Sequence, residues 1–237
     1  MRIGFIGLGA MGLPMAGHLV DAGHEVAVAS RSRGPIDAAV DRGATDGGTP
    51  RGVAEASEVV ILCVPNSPEV TDVVDDMLPA LGEGKTVVDC STIDPEVERA
   101  QHARVGQTGA AYLDAPLSGG TAGAQKGTLT LMVGGDADVL ARTEPAFEPF
   151  AGLVVHVGGP GMGPAKSRQG ADTAASAVGL DTRDFAVGVG RRRVGGQEFS
   201  KHLPHCHGTS AVGQEIMSPA QFYEVDPAQS LRGATHP

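Results

Sequence analysis

Hydrophobic and polar positions alternate between two periods along most of this chain. Arg2 to Ile6 is a short apolar run. Through Ala10–Ala22, Met11, Met15, Leu19 and Val20 recur at helical spacing, and Glu25–Ser30 is apolar again. These runs predict strand, helix, strand. The alternation continues with strands over Val59–Val64, Thr86–Asp89 and Ala111–Asp114, and helices over Pro68–Asp76 and Asp94–Gln107. Val154–Gly158 reads as a last strand. Strands this apolar, separated by helices, belong to a parallel sheet covered on both faces, the α/β class.

Beyond that strand the pattern dissolves. A short helix fits 170–175, but Gly179, Gly188, Gly190, Gly195 and Gly196 interrupt the chain after it, and no period is sustained. Charge changes at the same place. The chain carries a net charge of −10, yet residues from Lys166 onward hold 8 basic and 7 acidic side chains, leaving −11 on the first 165. Two regions are expected: a nucleotide-binding domain over 1–163 and an atypical tail over 164–237 that is frameshifted or disordered.

Composition narrows the partners. A net charge of −10 argues against nucleic acid and against an anionic membrane surface. Cys63, Cys90 and Cys206 are odd in number and far apart, which implies no disulfide framework. The N-terminus opens directly on a strand pattern without a signal peptide, and no apolar run reaches spanning length. A cytoplasmic protein is the expectation.

The first strand runs into Gly7-Leu8-Gly9-Ala10-Met11-Gly12, with a helix after it. In this context Gly7 permits a tight turn, Gly9 lets a pyrophosphate approach the backbone, and Gly12 lets the helix pack on the sheet. The phosphates meet the N–H groups and positive dipole end of the helix. The expected architecture is therefore a Rossmann-type doubly wound sheet; the alternative is a glycine turn without a ligand. The second strand ends in Ser30-Arg31-Ser32-Arg33, with no acidic residue to hold a ribose diol. An arginine and two hydroxyls suit a 2′-phosphate, so NADP is preferred to NAD. The alternative for Arg31 and Arg33 is solvated loop charge. Val64-Pro65-Asn66 and Cys90-Ser91-Thr92 stand at strand ends, where ligands of such sheets sit. Cys63 reads as a core residue, and Cys90 lies nearer the site.

Gly4 to Ala16 resembles the opening of the β-hydroxyacid dehydrogenases, which include 3-hydroxyisobutyrate dehydrogenase and 2-hydroxy-3-oxopropionate reductase. Asp89 to Pro95 resembles that family's segment along the nicotinamide, and Asp114 to Ala124 its substrate-binding loop. Gly127 to Gly135 is similar to the usual continuation. The resemblance implies reversible hydride transfer between a nicotinamide and a small β-hydroxyacid or its semialdehyde. It assigns cofactor contacts to Gly7, Leu8, Gly9, Ala10, Met11, Gly12, Arg31, Ser32, Val64, Pro65 and Thr92. It assigns the substrate carboxylate to Ser118, Gly119 and Gly120. Small residues with exposed amides suit an anion on chemical grounds as well, the alternative being a glycine-rich connector.

The likeness stops in the segment Gly159–Lys166. The family places Gly-x-Gly, then three residues, then a proton-transferring lysine, with asparagines three and four residues after the lysine. Counted from Gly161, that lysine position holds Ser167, and Lys166 stands one residue early. The asparagine positions, counted from Lys166, hold Gln169 and Gly170, and Asn66 is the single asparagine of the chain. One helical residue is about 100° of rotation, so Lys166 is an off-register candidate for the catalytic base. The family's all-helical domain is expected to be missing from the tail, and with it the oligomer surface. A shifted reading frame or a natural truncation with a new tail accounts for the change. His202, His205, Cys206 and His207 show no standard zinc spacing, and Arg191–Arg193 reads as solvated charge. The expected activity is an NAD(P)-dependent oxidoreductase weakened by its tail. The alternatives are a non-catalytic NADP-binding protein with a regulatory tail and an imine-reductase-like relative.

Overall fold

A computed structural model of the chain describes residues 1–167. They form one sheet of nine strands: β1 (Arg2–Ile6), β2 (Glu25–Ala29), β3 (Thr45–Asp46), β4 (Val59–Leu62), β5 (Thr86–Asp89), β6 (Ala111–Asp114), β7 (Leu117–Ser118), β8 (Leu129–Gly134) and β9 (Ala151–Gly158). The helices are α1 (Gly12–Asp21), α2 (Arg33–Asp41), α3 (Pro50–Ala56), α4 (Ser67–Met77), α5 (Pro95–Gly106), α6 (Gly120–Lys126), α7 (Ala137–Thr143) and α8 (Met162–Ser167). Strand order is β3-β2-β1-β4-β5-β6-β8-β7, and β9 pairs with β8.

Each central strand feeds two cores. Ile3 and Phe5 of β1, Val26 and Val28 of β2, and Val59 and Ile61 of β4 point to one side, where Met15, Ala16 and Leu19 of α1 cover them. Their neighbours Ile6, Ala27, Ala29, Val60 and Leu62 point to the other side, under Val53 of α3 and Val70, Val74 and Met77 of α4. The period of two thus becomes a doubly covered sheet. Because both faces of β4 are buried, its sequence Val-Val-Ile-Leu shows no alternation.

From β3 through β6 the pairing is parallel. The chain first builds outward from β1 to β3, then returns to start β4 on the other side of β1. That reversal opens a crevice at the carboxyl ends of β1 and β4, where such sheets take their ligands.

The sheet is not parallel throughout, as its apolar strands had implied. β8 runs antiparallel to β6 and β7, and β9 returns parallel to β8. Connection length explains this. β6 and β7 run in the same sense along β8, and the chain doubles back between β7 and β8 through residues 119–128, too short a connection for a crossover, whereas residues 135–150 carry α7 and suffice for one. The last strand also begins earlier than its pattern showed, at Ala151 rather than Val154.

No helix among the described residues is long and apolar enough to cross a membrane. Helix α8 spans the expected boundary at 163/164. Gln169, Gly170, the Arg191–Arg193 run and the His/Cys group at 202–207 lie outside the described residues.

Candidate functional site

At the end of β1 the chain turns through Gly7 with φ at 100°. A Cβ there would overlap the Cys63 carbonyl oxygen, and one on Gly12 would overlap the Gly7 carbonyl oxygen and crowd the Phe5 ring. Both glycines are demanded by close backbone approach. Gly9 is different, because nothing lies within 4 Å of where its Cβ would stand. Its backbone faces open space, as an approaching pyrophosphate requires. Helix α1 starts at Gly12 rather than Ala10. Its N-cap, Met11, makes no side-chain hydrogen bond, and no acidic residue occupies the first turn. Leu13 N–H goes to the Gly9 carbonyl and Pro14 has none, so Gly12 N–H and the positive dipole end of the helix are what remain for an anion.

These residues form the floor of a cleft of about 760 Å³, within the usual range for cofactor sites. Ser30, Arg31 and Ser32 enter from the end of β2, and Cys63, Val64 and Pro65 from the end of β4. Pro50, Glu69, Asp72 and Val73 close it from α3 and α4. Two hydrogen bonds set the rim: Leu8 N–H donates to Ser30 Oγ at 3.4 Å, and Val64 N–H to Ser91 Oγ at 3.0 Å. Burial pushes the Cys63 thiol up to about 12, so Cys63 is a neutral wall of the cleft and not a nucleophile.

The two arginines expected at a 2′-phosphate part company. Arg31 lines the cleft, 76% exposed, with Nη1 at 3.6 Å from Glu69 Oε1. Arg33 turns away: its Nε donates to Asp37 Oδ1 at 2.7 Å and its Nη1 to Asp46 Oδ2. The fold thus gathers Gly7 to Gly12, Arg31, Ser32, Val64 and Pro65 around one cavity. Thr92 is exposed between β5 and α5 and does not line it. Glu69 and Asp72, which local pattern did not single out, do.

Ser118, Gly119 and Gly120 lie on a separate element. The expected substrate loop is a short strand running into a helix: Ser118 pairs with Thr130 in β8, and α6 begins at Gly120. Gly119 and Gly120 take φ values of 122° and 59° and are exposed. One side chain ties this element to the cofactor helix. His18 of α1 places Nε2 at 3.0 Å from the Ala124 carbonyl and 3.1 Å from that of Gln125, in the last turn of α6.

Beneath the β5 and β6 ends lies a buried acidic network. The Tyr112 hydroxyl sits 2.8 Å from Glu98 Oε2 and 3.2 Å from Asp89 Oδ2. Burial, and then the charge of Asp89, raise the Glu98 carboxyl to about 10. Burial raises Asp89 to about 6 against the hydrogen bonds from Ser91 and Tyr112. A phenol has one proton to give. With Glu98 protonated, its carboxyl O–H donates to the phenol oxygen and the phenol donates to Asp89. Glu98 Oε1 has no hydrogen-bond partner among the described residues.

Asp114, also fully buried, has a different task. Its Oδ1 accepts Gly161 N–H at 2.8 Å and its Oδ2 accepts Gly163 N–H at 2.7 Å. The carboxylate lies so close to Gly134 and Gly163 that a Cβ on either would meet it. The end of β6 thereby pins the start of α8. Lys166 stands in the last turn of that helix, half-buried.

Residues 2–158 match the NAD binding domain of 6-phosphogluconate dehydrogenase. The chain is 45% identical over 168 residues to the 2-hydroxy-3-oxopropionate reductase of Escherichia coli (strain K12), covering 69% of this chain and 56% of that protein. The 3-hydroxyisobutyrate dehydrogenase of Mycobacterium tuberculosis, solved with L-serine, superposes with a TM-score of 0.69 at 33% identity, over 77% of this chain and 67% of that one. Psf3 in complex with NADP+ and 2-OPP gives 0.68 at 31% identity, over 78% and 71%. The chain spans about half the length of the curated relatives it matches. With the match running from the first strand to the last, the chain belongs to the family of the 6-phosphogluconate dehydrogenase NAD binding domain, alongside the β-hydroxyacid dehydrogenases.

Proposed function

We propose that this chain binds a nicotinamide dinucleotide beside Gly7–Gly12 in a site laid out for the interconversion of a small β-hydroxyacid and its semialdehyde, with the proton-transfer step weakened by its altered C-terminal region. The observation that carries the reading is the turn itself: an uncapped α1 N-terminus beside a Gly9 backbone that faces open space. When bound, the nicotinamide supplies the acceptor or donor of the hydride. The chain's own groups hold and orient. N–H groups of Gly9 to Gly12 take the pyrophosphate, with Val64 and Pro65 as walls and Thr92 further along the cofactor. Arg31 and the Ser32 hydroxyl take a 2′-phosphate, which makes NADP the preferred form; the NADP+ in the related Psf3 structure supports this. Ser118, Gly119 and Gly120 take the substrate carboxylate.

Lys166 is the lysine in α8 that stands for the hydroxyl proton transfer. Its position one residue early turns it about 100° around the helix from the family's place. We therefore expect cofactor binding with turnover near background. Two assays on the full chain test this: NADPH binding followed by nicotinamide fluorescence, and steady-state NADPH oxidation with tartronate semialdehyde or methylmalonate semialdehyde. Saturable binding is the expected result. Its absence would overturn the reading. Robust turnover would show that Lys166 handles the proton in its present register.

A further inference from the structure

The adenosine end of the cleft carries a carboxylate that the glycine turn does not account for. Glu69 stands in the first turn of α4 and lines the cavity across from the end of β2. Its backbone N–H is held by Asn66 Oδ1 at the helix cap. Its Oε1 lies 3.6 Å from the Arg31 guanidinium. Its Oε2 is buried and has no hydrogen-bond partner among the described residues. A buried carboxylate oxygen without a donor is costly, and it points to a donor that arrives with a ligand.

In sheets of this kind the adenosine ribose lies at the end of β2, where an acidic side chain holds its hydroxyls in NAD enzymes. This β2 ends at Ala29 and is followed by Ser30-Arg31-Ser32, which provide no such acid. Glu69 brings one to the same rim from another element. A ribose 2′-hydroxyl has a proton to donate to Oε2. A 2′-phosphate has none to offer at neutral pH, and it competes with Glu69 for Arg31. Asp72 adds a second carboxylate to the lining, while Arg33 is engaged by Asp37 and Asp46. Among the described residues, Arg31 is thus the single cation lining this cavity, and it is shared.

We propose that Glu69 is a specificity-determining residue for the cofactor: it favours a free 2′-hydroxyl, opposes a 2′-phosphate, and so limits the NADP preference that Arg31 sets. This rests on the reading of the cleft as a nicotinamide dinucleotide site.

The test is a double-mutant cycle on the full chain, with dissociation constants for NADPH and NADH measured on wild type, Glu69→Gln, Arg31→Ala and the double variant. Glu69→Gln raises the NADPH-to-NADH affinity ratio by about fivefold, the upper end of what an exposed ion pair contributes. In the Arg31→Ala background the same change moves NADPH affinity much less, because the competition for the guanidinium is gone. A structural role alone would shift both cofactors together. If both cofactors bind and the ratio is unchanged by Glu69→Gln, the assignment of Glu69 is wrong while the cleft reading stands. Binding of neither cofactor to wild type would overturn both. Glu69→Asp, which keeps the charge on a shorter stem, guards against misfolding of the Gln variant: it must leave the ratio closer to wild type than Glu69→Gln does.

Discussion

Gly9 and Gly12 differ by three positions and by what surrounds them, and substitution separates their roles. Alanine at Gly12 forces a methyl against the Gly7 carbonyl and the Phe5 ring. Overpacking of that kind costs about 1–3 kcal/mol, so urea melts of Gly12→Ala should show a lowered midpoint. Alanine at Gly9 meets nothing in the protein. Gly9→Ala should melt like wild type yet bind NADPH at least about tenfold more weakly, a loss near 1.4 kcal/mol. Equal binding by the two chains would mean that the pyrophosphate lies elsewhere. The three glycines were legible because the turn is local: strand, turn and helix are adjacent in sequence. Glu69 was not, because its meaning comes from α4 folding back across the end of β2, some forty residues upstream. Arg31 and Arg33 looked alike in sequence, and Asp37 and Asp46 decide between them only once α2 and β3 are placed.

Among the elements, α8 depends on a single carboxylate from β6. Asp114→Ala leaves the buried Gly161 and Gly163 amides without their acceptor, and the expected loss is about 2–4 kcal/mol in urea unfolding. The joint between β5, α5 and β6 has its own pH signature. The unfolded chain releases the Glu98 proton near the ordinary value of 4.5, whereas the folded chain holds it to about 10. Between these limits the folded state binds more protons, so stability falls as pH rises through that window. Asp89 adds a smaller fall between 3.8 and about 6. Glu98→Gln should flatten the decline of melting temperature from pH 6 to 9; an unchanged slope would place the titration elsewhere. Sequence pattern matched β1, β5 and β6 to the residue, since each is a short apolar run that opens or closes on a polar side chain: Arg2 in β1, Thr86 and Asp89 in β5, Asp114 in β6. It passed over α6, whose Gly120-Thr121-Ala122-Gly123 looks like a connector. That helix owes its place to packing, with Gly123 lying against Leu129 and the His18 ring at its last carbonyls.

For the molecule as a whole, a ligand that binds only the folded state adds stability by mass action. NADPH at a hundred times its dissociation constant should contribute about 2.7 kcal/mol, roughly 6–10 °C in the melting temperature of a domain this size. A melting curve indifferent to NADPH would speak against the cleft as a nucleotide site. The class of the sheet and its two covered faces were readable from β1 to β6, but the reversal at β8 was not, because connection geometry rather than strand composition sets direction. Tyr112 bears on how such melts can be followed. The chain has no tryptophan and two tyrosines, Tyr112 and Tyr223. Tyr112 is buried, hydrogen-bonded to Asp89 and Glu98 and packed edge-on against the His102 ring at 6.4 Å. A phenol bonded to a carboxylate passes its proton across in the excited state and emits weakly. Tyr112 should therefore emit weakly in the folded chain and brighten when this joint opens, an optical reporter in the core read against Tyr223 alone, with no indole signal.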